Sequence, residues 1–245
     1  MVTAYDYTSA RIADEAGIPA MLVGDSLGMT MLGYATTVPV TMAEMLHHAR
    51  AVARGAPDRL LIADLPFGAY HASDEQAITH AVELLQAGVH AVKVEGGGRV
   101  VALTELLCER GIPVMGHLGL TPQFVNAFGG HRVQGRDPSA RERMLADAQA
   151  LQEAGAFAIV LEGMPSSLAV ELTASLRLPT IGIGAGPGCD GQVLVWHDVL
   201  GLTRGHTPSF VKPFAGLGDT ARDALARFAV EVREGSFPDA GHSYT

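Results

Sequence analysis

QAGVHAVKVEGG, residues 86–97, contains the unit from which the chain is built. A helix-like segment closes on Gly88, in the left-handed position that suits glycine after a last helical turn, and an apolar run follows that suits a buried parallel strand. Along that run Val92 and Val94 face one way while Lys93 and Glu95 face the other, because successive strand side chains alternate. Residues two apart on a strand lie roughly 7 Å from each other, so an ammonium and a carboxylate look into the same space.

The cadence returns in EAGIPAMLVGDS (15–26), ERGIPVMGHLG (109–119) and EAGAFAIVLEG (153–163), and more loosely in LRLPTIGIGAG (176–186). It predicts eight strands, near 2–5, 20–24, 60–63, 90–94, 113–116, 158–161, 180–183 and 193–197. Helical patterns lie between most of them. TMAEMLHHARAVARG (41–55) opens on a Thr41/Glu44 capping box and places Met42, Met45, Leu46, Ala49 and Val52 on one stripe. HASDEQAITHAVELLQAG (71–88) repeats the device with Ser73 and Gln76, and ARERMLADAQALQEAG (140–155) is a third helix. No Pro/Ser-rich linker divides residues 1–245, so the economical fold is a single α/β domain, a (β/α)8 TIM barrel, with an open doubly wound sheet as the alternative.

At 245 residues, 48% hydrophobic and 18% charged, the composition is that of a globular protein with a sizeable core. A net charge of −9 without a Lys/Arg cluster argues against nucleic acid as a partner. No apolar run reaches the roughly 18 residues of a membrane span. Cys108 and Cys189 have no ligand-like spacing, which reads as reduced thiols and a cytoplasmic location.

Barrel enzymes carry their chemistry at the C-terminal ends of the strands. Those ends are Asp6, Asp25 with Ser26, Asp64, Lys93 with Glu95, His117, Glu162, a glycine loop, and His197 with Asp198. Each alone could cap the following helix, and His197 and Asp198 read as structural. Asp25, Asp64 and Glu95 come from neighbouring strands, and three carboxylates so close repel unless a cation sits among them. All-oxygen ligation points to Mg²⁺. Lys93 is either an anion-binding group or half of a structural pair with Glu95. His117 is either a donor to a substrate carboxylate or oxyanion, or a satisfied structural histidine. GPGCDG (186–191) matches the spacing of a dinucleotide loop, but a strand-like QVLVWHD follows it instead of the required helix, so the match is rejected.

TAYDY (3–7), VGDSLGM (23–29), PVTMAEM (39–45), LLIADLPFGAY (60–70), VKVEGG (92–97), GHLGLTPQ (116–123), VQGR (133–136), VLEGMP (160–165), IGIGAG (181–186), GQVLVWHD (191–198) and GHTPSFVK (205–212) together resemble the ketopantoate hydroxymethyltransferase family, in family order over nearly the whole chain. The resemblance implies a barrel of the phosphoenolpyruvate/pyruvate type that moves a hydroxymethyl group from 5,10-methylenetetrahydrofolate to 3-methyl-2-oxobutanoate, giving 2-dehydropantoate. It implies Asp25, Asp64 and Glu95 as the magnesium site, Asp25, Ser26, Asp64 and Lys93 as oxoacid contacts, and Glu162 as the base. It also implies a homodecamer of two stacked pentamers. The chain departs from the pattern in two places. The family's helix before strand one does not precede Met1 in this sequence, so either the barrel bottom lacks its usual cover or the chain starts late, and PSFVK (208–212) stands where PKFVK is common. The rival expectations are a magnesium-dependent 2-oxoacid carbon–carbon lyase, a phosphonopyruvate-type hydrolase of the related barrels, or a catalytically silent barrel.

Overall fold

The computed structural model describes residues 1–130, 132–205 and 207–244, so His206 of the GHTPSFVK stretch lies outside the described residues. The chain packs as two units, Met1–Val195 and Trp196–Thr245.

The first unit holds eight parallel strands hydrogen-bonded in chain order: β1 (Val2–Thr3), β2 (Ala20–Val23), β3 (Leu60–Asp64), β4 (Ala91–Lys93), β5 (Val114–Gly119), β6 (Ala158–Glu162), β7 (Thr180–Ile183) and β8 (Gly191–Gln192). Beyond β8, Leu194 bridges in parallel to Val2 and its carbonyl accepts from the Thr3 N–H at 3.1 Å, which returns the sheet to its first strand. This is the (β/α)8 barrel the cadence predicts. Helix α1 (Tyr7–Glu15) follows β1, α2 (Leu27–Thr30) and α3 (Met42–Gly55) follow β2, and α4 (Asp74–Gln86) follows β3. Helix α5 (Arg99–Glu109) follows β4, α6 (Val125–Phe128) and α7 (Pro138–Glu153) follow β5, and α8 (Ser166–Ser175) follows β6.

The local signals act as their chemistry dictates. Thr41 and Glu44 form the reciprocal box on α3, whose buried side is Met45, Ala49 and Val52, with Met42 and Leu46 half-buried. At α4 only one half of the expected box exists: Ser73 Oγ accepts from the Gln76 N–H at 3.2 Å, while Gln76 Oε1 has no hydrogen-bond partner. The glycines of the cadence, Gly17, Gly88, Gly111 and Gly155, all have positive φ, the backbone region where a Cβ is penalised.

Strand eight corrects the expectation. It runs at Gly191–Gln192 rather than 193–197, and Trp196–Val199 is a helical turn, α9, at the start of the second unit. His197 and Asp198 are therefore not strand-end residues. Asp198 Oδ1 instead accepts from Thr203 Oγ1 at 2.6 Å within that unit. The second unit's main element is α10 (Leu217–Glu234), and among the described residues no helix is long and apolar enough to cross a membrane.

Strand alternation divides the core. Ile159 and Leu161 of β6 pack outward with Met144, Ala148 and Leu151 of α7 and Leu168 of α8. Leu22, Ile62, Ala91, Met115, Ala158 and Val160 form a separate cluster inside the sheet. Two residues beyond these inward positions stand Asp64, Lys93, His117 and Glu162, so the period of the strand places all four in the barrel mouth.

Candidate active site

Asp64 and Lys93 are paired neighbours across β3 and β4, and Asp64 Oδ1 lies 3.0 Å from Lys93 Nζ. The ladder continues past β4, with the Gly96 N–H donating to the His117 carbonyl at 2.8 Å, so Glu95 keeps the inward parity. Lys93 Nζ is 3.4 Å from Glu95 Oε1 and 3.1 Å from His117 Nδ1. His117 spans two carboxylates: Nδ1 is 3.2 Å from Glu95 Oε1, and Nε2 is 3.1 Å from Glu162 Oε2, a charge contact outside hydrogen-bond geometry. Asp25 follows β2 and donates its backbone N–H to Asp64 Oδ2 at 2.9 Å. Ser26 Oγ is 2.8 Å from the hydroxyl of the buried Tyr5. Every site residue anticipated from the sequence thus lies at one end of one barrel. Asp6 does not act there: it caps α1, its Oδ1 accepting from the Ser9 N–H at 2.6 Å.

Gln123 and Tyr70 belong to the cluster and were missed. The Gln123 amide donates to Asp25 Oδ2 and to the Leu65 carbonyl, both at 2.9 Å, and its backbone N–H donates to Glu95 Oε2 at 3.0 Å. Tyr70 donates to Gln123 Oε1 at 2.7 Å and accepts from the Glu95 N–H at 3.3 Å. Both residues sit inside LLIADLPFGAY and GHLGLTPQ, but a residue in a single 3-10 turn, 98 positions from its partner, leaves no periodic signal.

The charges are strongly coupled. Burial pushes the Asp25 carboxyl up, and the negative charges of Asp64 and Glu95 push it further, well above the usual carboxylate range. Burial raises Asp64 as well, against the opposing pull of Lys93. For Glu95 burial is outweighed by Lys93 and His117, which hold it at about 2. Burial and Lys93 push His117 down, but Glu95 and Glu162 prevail and carry it to about 9. Burial also opposes the Lys93 ammonium, yet Asp64, Glu95 and Asp25 together hold its pKa well above the ordinary lysine value.

Among the described residues, no group of three His, Cys, Asp or Glu side chains already stands as a metal cage. The ammonium of Lys93 stands between Asp64 and Glu95 instead. The donor set nonetheless fits a hard divalent ion. Asp25, Asp64 and Glu95 are all buried, Lys93 is the one lysine among them, and Asp64 Oδ1 faces only its ammonium. Buried oxygens of this kind are what Mg²⁺ takes, usually through few protein ligands.

Fold and site together define an acid-lined (β/α)8 barrel enzyme, and solved chains of the phosphoenolpyruvate mutase/isocitrate lyase superfamily share that fold. Among solved structures, a phosphonopyruvate hydrolase in complex with oxalate and Mg²⁺ aligns with a TM-score of 0.63 at 16% identity, over 98% of this chain and 87% of that one. A 2,3-dimethylmalate lyase aligns with a TM-score of 0.62 at 20% identity, over 99% and 85%. The model of the ketopantoate hydroxymethyltransferase family matches residues 1–240, and the chain belongs to that family. Similar relatives are the 3-methyl-2-oxobutanoate hydroxymethyltransferases of Thermotoga maritima, 55% identical over 100% of this chain and 91% of the relative, and of Chloroflexus aurantiacus, 57% identical over 99% and 86%. The relative in Syntrophus aciditrophicus bears the same name and is 53% identical over 100% and 90%.

Proposed function

We propose that this chain is a 3-methyl-2-oxobutanoate hydroxymethyltransferase, joining the one-carbon unit of 5,10-methylenetetrahydrofolate to C3 of 3-methyl-2-oxobutanoate to give 2-dehydropantoate. The carrying observation is the meeting of Asp25, Asp64 and Glu95 around Lys93, with Glu162 beside them on the same rim.

The C–H next to the ketone is weakly acidic, so the reaction needs a base and a means of holding the enolate. Lys93 balances the substrate carboxylate and adds positive potential where charge develops. Glu162 takes the C3 proton. His117 sits against Glu162 Oε2, so Oε1 is the oxygen assigned to the proton transfer. Asp25, Asp64 and Glu95 would hold a divalent cation, which when bound supplies electrophilic polarisation of the keto oxygen. Ser26, tied to Tyr5, completes the oxoacid contacts.

Aromatic faces for the folate donor lie in the same unit. Phe67, His71, Phe124 and Phe128 follow β3 and β5 at the mouth as a row, with centroids 4.9 Å apart for Phe67–His71, 6.4 Å for His71–Phe124 and 6.3 Å for Phe124–Phe128. Phe67 is 41% exposed, and such ring faces suit a flat pterin. The cytoplasm is the compartment of this reading, in keeping with the free thiols of Cys108 and Cys189.

The test is exchange of the C3 proton of 3-methyl-2-oxobutanoate in deuterated water. Mg²⁺-stimulated exchange, with product formed only when methylenetetrahydrofolate is added, supports the reading. Turnover of a 2-oxoacid without folate favours the lyase or hydrolase alternative, and absence of both activities favours a silent barrel.

A further inference from the structure

We infer that Gln123 is a positioning residue that sets the affinity of the acid cluster for its divalent cation. This rests on the reading of Asp25, Asp64 and Glu95 as the residues that hold it. Gln123 binds two of the three through different groups: the side-chain amide holds Asp25 Oδ2 at 2.9 Å, and the backbone N–H holds Glu95 Oε2 at 3.0 Å. Gln123 thus holds one oxygen of each carboxylate, while Glu95 Oε1 is engaged by Lys93 and His117.

The amide has one consistent orientation. Two acceptors, Asp25 Oδ2 and the Leu65 carbonyl, face its nitrogen. The Tyr70 hydroxyl accepts from the Glu95 N–H at 3.3 Å, so its own proton is available to Gln123 Oε1 at 2.7 Å. A closed ring of hydrogen bonds therefore runs from Glu95 to Tyr70 to Gln123 and back to Glu95, with a branch to Asp25. It ties together the segments that follow β2, β3, β4 and β5. Gln123 and Tyr70 are both buried, so water does not replace these bonds easily.

The choice of a neutral donor is itself informative. An amide donates to Asp25 without bringing a positive charge of its own, so it does not compete with a cation. A lysine here would compete with that cation, and a glutamate would add a further repelling carboxylate. Groups that orient ligating carboxylates commonly change metal affinity by about 10–100-fold when removed.

The experiment uses the full chain with Mn²⁺ as probe, titrated by electron paramagnetic resonance without oxoacid or folate, alongside the thermal midpoint. For folded Gln123→Met the expected result is Mn²⁺ binding weakened by at least about tenfold, with a changed spectrum of the bound ion. Affinity within twofold of wild type overturns the inference, even if the midpoint falls, because a purely structural role moves the midpoint alone. Should Gln123→Met fail to fold, Tyr70→Phe decides: loss of the anchor on Oε1 is expected to weaken Mn²⁺ binding at least threefold, and unchanged affinity overturns the inference. A wild-type chain that binds no Mn²⁺ overturns the metal reading beneath it. Weak binding by the variant together with normal hydroxymethyl transfer at saturating metal leaves that reading standing and supports Gln123 as a positioning residue.

Discussion

Glu162 is separated from the inner acids by His117, whose two ring nitrogens face Glu95 on one side and Glu162 on the other. That separation predicts distinct phenotypes. Glu162→Gln is expected to leave Mn²⁺ and oxoacid binding close to wild type while C3 deuterium exchange falls by about 10²–10⁴. Normal exchange in this variant would remove Glu162 from the role of base. Asp64→Asn should behave differently, because Asp64 Oδ1 is the partner of Lys93 at 3.0 Å and Oδ2 accepts the Asp25 N–H. It is expected to weaken metal and oxoacid binding together in calorimetric titrations; loss of only one would show that the two sites are not shared. Gly119 supports the same geometry from behind. Its φ is +101°, and a Cβ there would lie 2.1 Å from the Glu162 carbonyl, so Gly119→Ala must displace the end of β6. A cost above about 1 kcal/mol in denaturant unfolding is expected, with exchange reduced as well.

At the scale of elements, the period-two strand made most of the site legible. Lys93 with Glu95, His117 and Glu162 all close apolar runs, so their inward parity could be read directly from the chain. Strand eight could not, because Gly191–Gln192 is only two residues long and the apolar VLVW after it imitates a strand. Gln123 and Tyr70 were illegible for another reason: they lie in a single 3-10 turn and a loop, too short for a period to assign a side chain to a face, and their partners come from remote segments. The aromatic row likewise joins residues remote in sequence, Phe67 and His71 after β3 with Phe124 and Phe128 after β5. Phe124 stands over Gly96, with ring atoms 3.9 Å from where a Cβ would be, so it adjoins the acid end of β4. If the row stacks the pterin, Phe124→Leu should weaken tetrahydrofolate binding roughly two- to tenfold, the equivalent of one aromatic contact of about 0.5–1.5 kcal/mol. Fluorescence titration measures this, and unchanged binding would place the folate elsewhere.

The whole molecule raises the question of assembly, and α10 offers the means to test it. Leu217, Ala221, Leu225, Phe228 and Val232 recur at steps of three and four, which puts them on one face of the helix. Leu225 is 67% exposed, Phe228 53% and Val232 48%, so within the second unit this face has little cover among the described residues. Burying each of these three side chains fully is worth about 1.5–3 kcal/mol, a sum of several kcal/mol that water gives back when the face is covered. We propose a second copy of the chain as its occupant, because a stripe with three- and four-residue spacing packs against an equivalent stripe by ridges into grooves. It also agrees with the homo-oligomer that the family resemblance implies. Multi-angle light scattering on the full chain is therefore expected to give a mass several times that of one chain, with Leu225→Glu/Phe228→Glu shifting it to smaller species. A wild-type chain that elutes as a monomer would refute self-association; an oligomer unaffected by the double substitution would leave assembly intact and move the interface off α10. Since the acid cluster and Glu162 all lie in Met1–Val195, while both substituted positions lie in Trp196–Thr245, the smaller species should still bind Mn²⁺ with wild-type affinity.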